Sequence, residues 1–225
     1  FLSMFWDEAY ISTSLVHPNI CRVSDTGQNG KELYLVMEFI HGKDLRMIGK
    51  RLKKLGRDLP PIFAAFILSK IARALYYAHT KCDPIDGKAQ NIVHRDVNPQ
   101  NILISYTGVP TLIDFGIAKA ADSDHRTETG VVKGKLSYMS PEQLAGEDLD
   151  GRSDQFSLGI VFWELCTRTR MFKDAQNPQI IQRILHGMMD KPSIVEADIP
   201  PAIEDILMRM LSGNKDKRFE TLEDL

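Results

Sequence analysis

The spacing of hydrophobic residues predicts a mainly helical body after residue 60. From Pro60 onward, apolar residues recur at helical spacing on most sides of the predicted helix, which is typical of a helix buried in a helical layer. A nearly continuous apolar run over residues 156–165 predicts a second buried helix, and helical spacing over residues 203–211 predicts a third. The helical pattern over residues 1–16 ends at His17, because the residue before a proline is disfavoured in a helix.

Strand patterns are short and lie mainly near the N-terminus. Apolar and β-branched residues over 20–23 and 33–40 flank a stretch rich in turn residues, which predicts a hairpin with a loop of several residues. Two further short strands are predicted over 101–105 and 111–113, and residues 219–225 predict the beginning of another helix. The expected fold class is therefore α+β, with a small strand-bearing part before a larger helical part.

Composition and charge exclude several classes of partner. The chain has 225 residues, of which 43% are hydrophobic and 26% charged, and a net charge of -2 that gives no long-range attraction to nucleic acid or anionic membranes. No apolar run predicts a bilayer span, so we expect no membrane contact by this segment and no nucleic-acid partner. The cysteines are far apart and favour a reducing, cytoplasmic location over a metal cluster: Cys21, Cys82 and Cys166.

Three short motifs carry the candidate chemistry. Residues 94–101 read His-Arg-Asp-Val-Asn-Pro-Gln-Asn, residues 114–116 read Asp-Phe-Gly, and residues 140–142 read Ser-Pro-Glu. Each motif alone is weak evidence, but their order and spacing resemble the catalytic loop, the metal-binding motif and the end of the activation segment in protein kinases. The resemblance implies a two-lobed fold, with a partial N-terminal lobe (helix C and two strands) over 1–39 and a mainly helical C-terminal lobe over 40–225.

The residue types in these motifs suit phosphoryl transfer, which depends on positioned charge more than on covalent chemistry. Asp96 is placed to accept the proton of a substrate hydroxyl or to orient it. Asn101 and Asp114 offer the oxygen ligands that Mg2+ prefers. The resemblance therefore implies ATP and Mg2+ as cofactors, and proteins bearing Ser or Thr as substrates.

Further positions resemble the nucleotide-binding positions of the family. Glu8 resembles the helix-C glutamate that pairs with the ATP-binding lysine, and Asp44 falls at the ribose position, although a solvated helix face is the alternative for both. Met37 resembles the gatekeeper, and Leu103 the residue that packs under the purine. The backbone expected to face the adenine belongs to Glu38 and Ile40.

Other positions resemble structural and regulatory residues of the family. Asp154 resembles the helix-F aspartate that holds the backbone of the catalytic loop, while His94 and Phe115 are expected to pack and orient. A phosphate on the activation segment, over residues 114–142, could dock against Arg95. The expected buried ion pair joins Glu142 to Arg218, and the expected phosphorylation sites are Thr127 and Thr129.

Two residues depart from the family pattern within these motifs. Asn98 stands where Ser/Thr kinases usually have lysine, and Lys135 stands where they usually have threonine. A neutral amide cannot offset the charge that develops on phosphoryl oxygens, but the ammonium of Lys135 could return to that point from the facing segment. We therefore expect Lys135 to substitute for the missing lysine; the alternative is that Lys135 points to solvent and Asn98 is tolerated.

The resemblance is greatest to the eukaryotic-like Ser/Thr protein kinases of bacteria, and Pro99 favours Ser/Thr over Tyr specificity. The family places a Gly-rich loop and a lysine-bearing strand before helix C, where this sequence begins, so we expect these 225 residues to be inactive alone. A pseudokinase or scaffold is one alternative function. A small-molecule phosphotransferase is another, but it generally lacks the Ser-Pro-Glu motif and the downstream Asp154.

Overall fold

The computed structural model describes residues 2–30, 32–115, 135–173, 175–196 and 198–225, without the side chains of Leu2, Ser3, Met4, Asp7 and Glu8. Its helices are α1 (Leu2–Ser14), α2 (Leu45–Leu55), α3 (Pro61–His79), α4 (Pro141–Ala145), α5 (Gly151–Thr167), α6 (Asn177–Leu185), α7 (Pro192–Val195) and α8 (Pro201–Met210), followed by a short 3-10 helix, Lys215–Lys217. Its strands are β1 (Val23–Asn29), β2 (Glu32–Met37), β3 (Gly42–Asp44), β4 (Ile102–Ser105) and β5 (Pro110–Leu112).

The strands form two small antiparallel sheets. β1 and β2 make a hairpin, and the second sheet has the order β3-β4-β5. The segment after α1 joins the second sheet at its β5 edge, where Cys21 N–H donates to the carbonyl of Leu112 and Leu112 N–H donates to the carbonyl of Asn19, both at 2.8 Å. The N-terminal helix is thereby attached to the strand that leads into Asp114.

The core lies between α3 and α5, the two helices that the apolar patterns predict around residues 60–75 and 156–165. α3 begins with proline in its first turn, where the missing N–H costs nothing, and its buried face includes Ile71 and Leu75. Gly159 of α5 allows α8 to approach closely, because a Cβ atom there would lie 3.1 Å from Cβ of Met210. The predicted helix over 203–211 is confirmed as α8, and the predicted helix over 1–16 as α1.

By length and mean hydropathy, α3 also passes as a candidate membrane span, which the sequence reasoning did not anticipate. Its buried residues pack against α5, as in the core helix of a globular domain.

Two of the expected elements differ from the structure. The stretch expected to form the hairpin loop belongs to β1 instead, because backbone pairing continues from Asp25 opposite Val36 to Asn29 opposite Glu32. The helix expected over 219–225 is not formed; the backbone N–H and carbonyl of Phe219 are bound by the Gln155 side chain at 3.0 and 3.1 Å. Tertiary hydrogen bonds overcome local preference in both places.

Candidate active site

The backbone of the catalytic loop is anchored by a buried carboxylate. Asp154, in the first turn of α5, accepts hydrogen bonds from the N–H groups of His94 and Arg95, each at 2.8 Å. It also contacts Nε2 of His79, the last residue of α3, at 2.8 Å. Burial alone would raise the pKa of Asp154, but the hydrogen bond and charge of His79 hold that pKa below its ordinary value. The anchor stabilises Arg95 in a left-handed conformation, with φ of 66°.

The His94 side chain joins the catalytic loop to the strand before Asp114. Its Nε2 lies 3.0 Å from the carbonyl of Ile113, and its Nδ1 accepts the N–H of Asp96 at 3.2 Å. The neutral tautomer with the proton on Nε2 satisfies both contacts. The ring also packs on Phe115, with the ring centroids 4.6 Å apart. The side chains of His94 and Phe115 therefore pack together, and their role in orienting the site stays a prediction.

Within the described part of the chain, three side chains are seen to donate to the Asp96 carboxylate. Asn98 Nδ2 donates to Oδ1 at 3.0 Å, while Asn101 Nδ2 and Lys135 Nζ donate to Oδ2 at 3.2 and 3.0 Å. Both amide groups also donate to the backbone carbonyl of Asp96, at 2.9 and 2.8 Å. These contacts fix the direction in which the carboxylate faces the site.

Lys135 reaches Asp96 from the segment opposite the catalytic loop, 39 residues along the chain. The Lys135 side chain is 43% exposed and the Asp96 side chain 11% exposed, so the pair is partly screened by solvent. The ammonium therefore lies beside Asp96, as the compensation hypothesis requires; its effect on catalysis stays a prediction.

Asn101 and Asp114 approach each other where β5 ends. The N–H of Ile113 donates to the carbonyl of Asn101 at 2.9 Å, which places the next residue, Asp114, beside the catalytic loop. Asp114 is exposed and has a left-handed backbone, with φ of 57°. In the described ranges no group of three His, Cys, Asp or Glu side chains could hold a metal by itself. The amide and carboxylate oxygens fit Mg2+ that shares its remaining ligands with nucleotide phosphates.

The connection between the hairpin and β3 contains the expected adenine-facing residues. Met37 ends β2 and lines a cavity of about 20 Å³ with Asp114 and Phe115. The N–H of Glu38 is occupied, because it donates to the carbonyl of Arg22 at 2.9 Å. The backbone of Ile40 forms no hydrogen bond with another described residue, so its N–H and carbonyl are available to a base.

Asp44 and Leu103 are paired across β3 and β4. Asp44 also caps α2, since its Oδ1 accepts the N–H of Met47 at 2.7 Å. Helix capping is thus one role of this carboxylate, and ribose binding stays a prediction. Glu8 lies within α1, and its side chain is outside the part that the structure describes.

The end of the activation segment is tied to the helical body by a buried ion pair. Arg218 donates to both oxygens of Glu142, at 2.7 and 2.9 Å, and their side chains are 0% and 3% exposed. Ser153 Oγ donates to the same carboxylate at 2.7 Å. Burial opposes ionisation of Glu142, but the Arg218 hydrogen bonds and charge hold its pKa below the ordinary value.

Residues 3–224 match the family described as the protein kinase domain. This chain belongs to that family. Among similar proteins, the tyrosine-protein kinase MasK of Myxococcus xanthus is 36% identical over 99% of this chain and 34% of its own length. The serine/threonine-protein kinase PknA of Mycobacterium tuberculosis is 36% identical over 98% of the chain and 49% of its own length.

The fold of this kinase domain is also found in a solved structure, a double mutant of the Mycobacterium tuberculosis PknI kinase domain. The likeness has a TM-score of 0.71 at 24% identity and covers 99% of this chain and 75% of that one, which confirms the predicted kinase-like fold. This kinase domain spans about a third to a half of the length of the curated relatives MasK and PknA.

Sequence reasoning missed two residues that support the catalytic loop of this kinase domain. His79 lies 75 residues from Asp154, and no local pattern pairs the two. Gln143 donates to the carbonyl of Arg95 at 2.9 Å while its Oε1 accepts the N–H of Ser140 at 3.0 Å. The Ser-Pro-Glu-Gln string is a capping box with proline at the first helical position, a signal that could have placed Gln143 at a helix start.

The expected regulatory threonines, Thr127 and Thr129, lie outside the described residues, as does Gly116. The Nε of Arg95 is buried, and no described residue accepts a hydrogen bond from it. An anion on the activation segment could satisfy this donor. Phosphorylation of either threonine stays a prediction.

Proposed function

We propose that the protein transfers the γ-phosphate of ATP to Ser and Thr hydroxyls of protein substrates. The observation that supports this proposal is the Asp96 carboxylate, which accepts hydrogen bonds from Asn98, Asn101 and Lys135. In this role Asp96 accepts the hydroxyl proton, and His94 and Asp154 keep its loop in place.

Mg2+ held by Asn101 and Asp114 would neutralise charge on the phosphate oxygens. ATP would contact Ile40, Asp44 and Leu103, and Met37 would lie at the back of the nucleotide site. The Lys135 ammonium supplies a cation beside Asp96 in place of the lysine that Asn98 replaces. We further propose that this phosphorylation takes place in the cytoplasm. This segment is proposed to contact neither nucleic acid nor membrane.

The preference for Ser/Thr over Tyr rests on the catalytic loop and on the names of several relatives. Pro99 lies in that loop, and its carbonyl accepts the N–H of Arg46 at 3.2 Å, which fixes the loop against α2. PknA and the PknB of Mycolicibacterium smegmatis, 34% identical over 100% of this chain and 35% of its own length, are named Ser/Thr kinases. MasK is named a tyrosine kinase, so Tyr transfer is the second candidate.

The test uses the full-length natural protein with Mg-ATP and matched peptides that differ only in a Ser, Thr or Tyr acceptor. We expect phosphate on the Ser and Thr peptides and little on the Tyr peptide, measured as kcat/KM by transfer of labelled γ-phosphate. Transfer only to Tyr would favour the second candidate. No transfer to any acceptor, with Mg-ATP bound normally, would favour a pseudokinase or scaffold.

A further inference from the structure

A cavity of about 270 Å³ opens beside the end of the activation segment. Ser137 forms one side of it, and Phe172 and Ile180 form an apolar part of its wall. The charged side chains that line the cavity are three cations and one carboxylate: Arg46, Arg170, Lys173 and Glu164. This combination of cationic rim and apolar wall differs from the site around Asp96.

The three cations are not neutralised within the described part of the chain. None of Arg46, Arg170 and Lys173 forms an ion pair with a described carboxylate, and all three residues are exposed. Arginine presents a planar fork of donors that matches a carboxylate in two places. These side chains therefore have donors available for an anionic group from outside.

Glu164 is the carboxylate among the described lining residues, and each of its oxygens accepts a hydrogen bond from a group other than the three cations. Oε2 accepts the Tyr138 hydroxyl at 2.7 Å, and Oε1 accepts the N–H of Met171 at 3.3 Å. Burial raises the pKa of Glu164, and the hydrogen bond from Tyr138 and the charge of Arg170 oppose this shift. Among the described residues that line the cavity, three cations stand against one carboxylate, so positive charge is in excess.

Two connections place the cavity near Asp96. The N–H of Arg46 donates to the carbonyl of Pro99 in the catalytic loop at 3.2 Å. Ser137 follows Lys135 by two residues, which span at most about 7 Å, and Lys135 Nζ lies 3.0 Å from Asp96. An extended peptide advances about 3.3 Å per residue, so a substrate chain with its hydroxyl at Asp96 reaches the cavity within a few residues.

We propose that this cavity binds an acidic side chain, Asp or Glu, of the protein substrate, a few residues from the acceptor hydroxyl. The inference rests on the proposed function, since it names the substrate class for the same site. The carboxylate would lie between Arg170 and Lys173 and make charge-assisted hydrogen bonds with them. Because the cations are exposed, the preference should weaken as salt is added.

Peptide binding tests the cavity without catalysis. Short fluorescein-labelled peptides carry Ala in place of the acceptor and either Glu or Gln at one position up to four residues away on either side. The full-length protein should bind the Glu peptide about tenfold more tightly than its Gln partner at one of these positions, by fluorescence anisotropy at low salt. The doubly substituted Arg170→Gln, Lys173→Gln protein should lose this difference.

Lys54→Gln is the matched control, because Lys54 is an exposed cation on α2 that does not line the cavity. The Arg170→Glu protein provides a second test, because it should bind a matched Lys peptide more tightly than the Glu peptide. Equal binding of Glu and Gln peptides at every position would overturn the proposal, as would a preference that survives the double substitution. If only a matched phosphoserine peptide binds more tightly than its Gln partner, the cavity binds phosphorylated side chains, which would contradict the proposal that it binds Asp or Glu.

The outcome is separable from that of the proposed function. A Glu preference in binding, with no phosphate transfer to any acceptor, would sustain the cavity and reject the kinase activity. Transfer to Ser and Thr peptides without any Glu preference would do the reverse.

Discussion

At the scale of single residues, the contact between Lys135 and Asp96 should contribute little to stability and much more to the catalytic rate. The pair is partly exposed, and such pairs contribute only about 0–1 kcal/mol to stability. A preorganised charge beside a reacting group is worth far more to the rate, on the order of a factor of 100. The contribution of Lys135 should thus be measurable in catalysis rather than in folding.

Lys135→Met in the full-length protein is predicted to lower kcat by a factor on the order of 100, with little change in nucleotide affinity or thermal stability. The combined change Asn98→Lys with Lys135→Thr should recover much of the rate, because it returns the cation to the catalytic loop. Steady-state kinetics with varied ATP gives kcat and KM separately. Lys217→Met, at an exposed lysine, is the control.

Wild-type kcat in the Lys135→Met enzyme would contradict the compensation, and so would a double variant no faster than the single one.

Sequence reasoning identified Asn98 and Lys135 as departures because the surrounding motifs fixed their positions. Their meeting at Asp96 depends on the fold of segments 39 residues apart, so it could only be a hypothesis.

At the scale of elements, the catalytic loop depends on the junction of α3 and α5. His79 ends α3 and contacts the buried Asp154 carboxylate, and Gly151 at the start of α5 makes room for it, since a Cβ atom there would overlap the His79 ring. An unpaired buried polar group costs about 1–3 kcal/mol. The two helices therefore hold the loop through one carboxylate.

His79→Ala is predicted to destabilise the domain by about 1–3 kcal/mol and to lower kcat, because Asp154 loses a partner and the loop backbone loosens. Gly151→Ala should act in the same direction by displacing the ring. Urea unfolding and kinetics measure both effects, with His186→Ala, at an exposed histidine, as the control. Unchanged stability in both variants would show that Asp154 holds the loop without His79.

The helices that form the core could be predicted from sequence, and the contacts between them could not. α3, α5 and α8 show apolar spacing that is local in the chain. The span of β1 and the absence of a helix over 219–225 depend on partners elsewhere, namely β2 and the side chain of Gln155. Residue patterns carry no information on those partners.

At the scale of the whole molecule, the ion pair of Glu142 and Arg218 joins segments 76 residues apart. The pair was expected from the resemblance and not from spacing, since nothing local connects the two residues. Removing one partner of a buried pair leaves an uncompensated charge, which costs about 3–5 kcal/mol. This pair should therefore contribute to the acid stability of the domain.

The free energy of unfolding is predicted to decrease as pH is lowered, because Glu142 becomes protonated and its ion pair with Arg218 is lost. The folded pKa of Glu142 is lowered, so its contribution is full above the unfolded value of about 4.3 and is lost as pH falls through the folded pKa. At neutral pH, Glu142→Gln should lower the free energy of unfolding by about 3–5 kcal/mol. Below about pH 4.3, the free energy of unfolding of this variant should depend less on pH than that of the wild type. Urea unfolding at a series of pH values measures both, with Glu147→Gln, at an exposed neighbour, as the control.

A Glu142→Gln protein with wild-type stability at neutral pH, or with an unchanged acid dependence, would show that the pair contributes little. Phosphoryl transfer also depends on the whole molecule, because we propose that Asp96 acts on the hydroxyl of a protein substrate and not on the nucleotide.

The most direct test is the rate of γ-phosphate transfer to a Ser peptide by Asp96→Asn in the full-length protein at saturating Mg-ATP. This rate should fall by about 100- to 10,000-fold while Mg-ATP affinity stays close to wild type. Asp114→Asn is the contrasting variant, in which Mg-dependent nucleotide binding itself should weaken. Transfer by Asp96→Asn at the wild-type rate, or loss of activity only through loss of nucleotide binding, would contradict this role of Asp96.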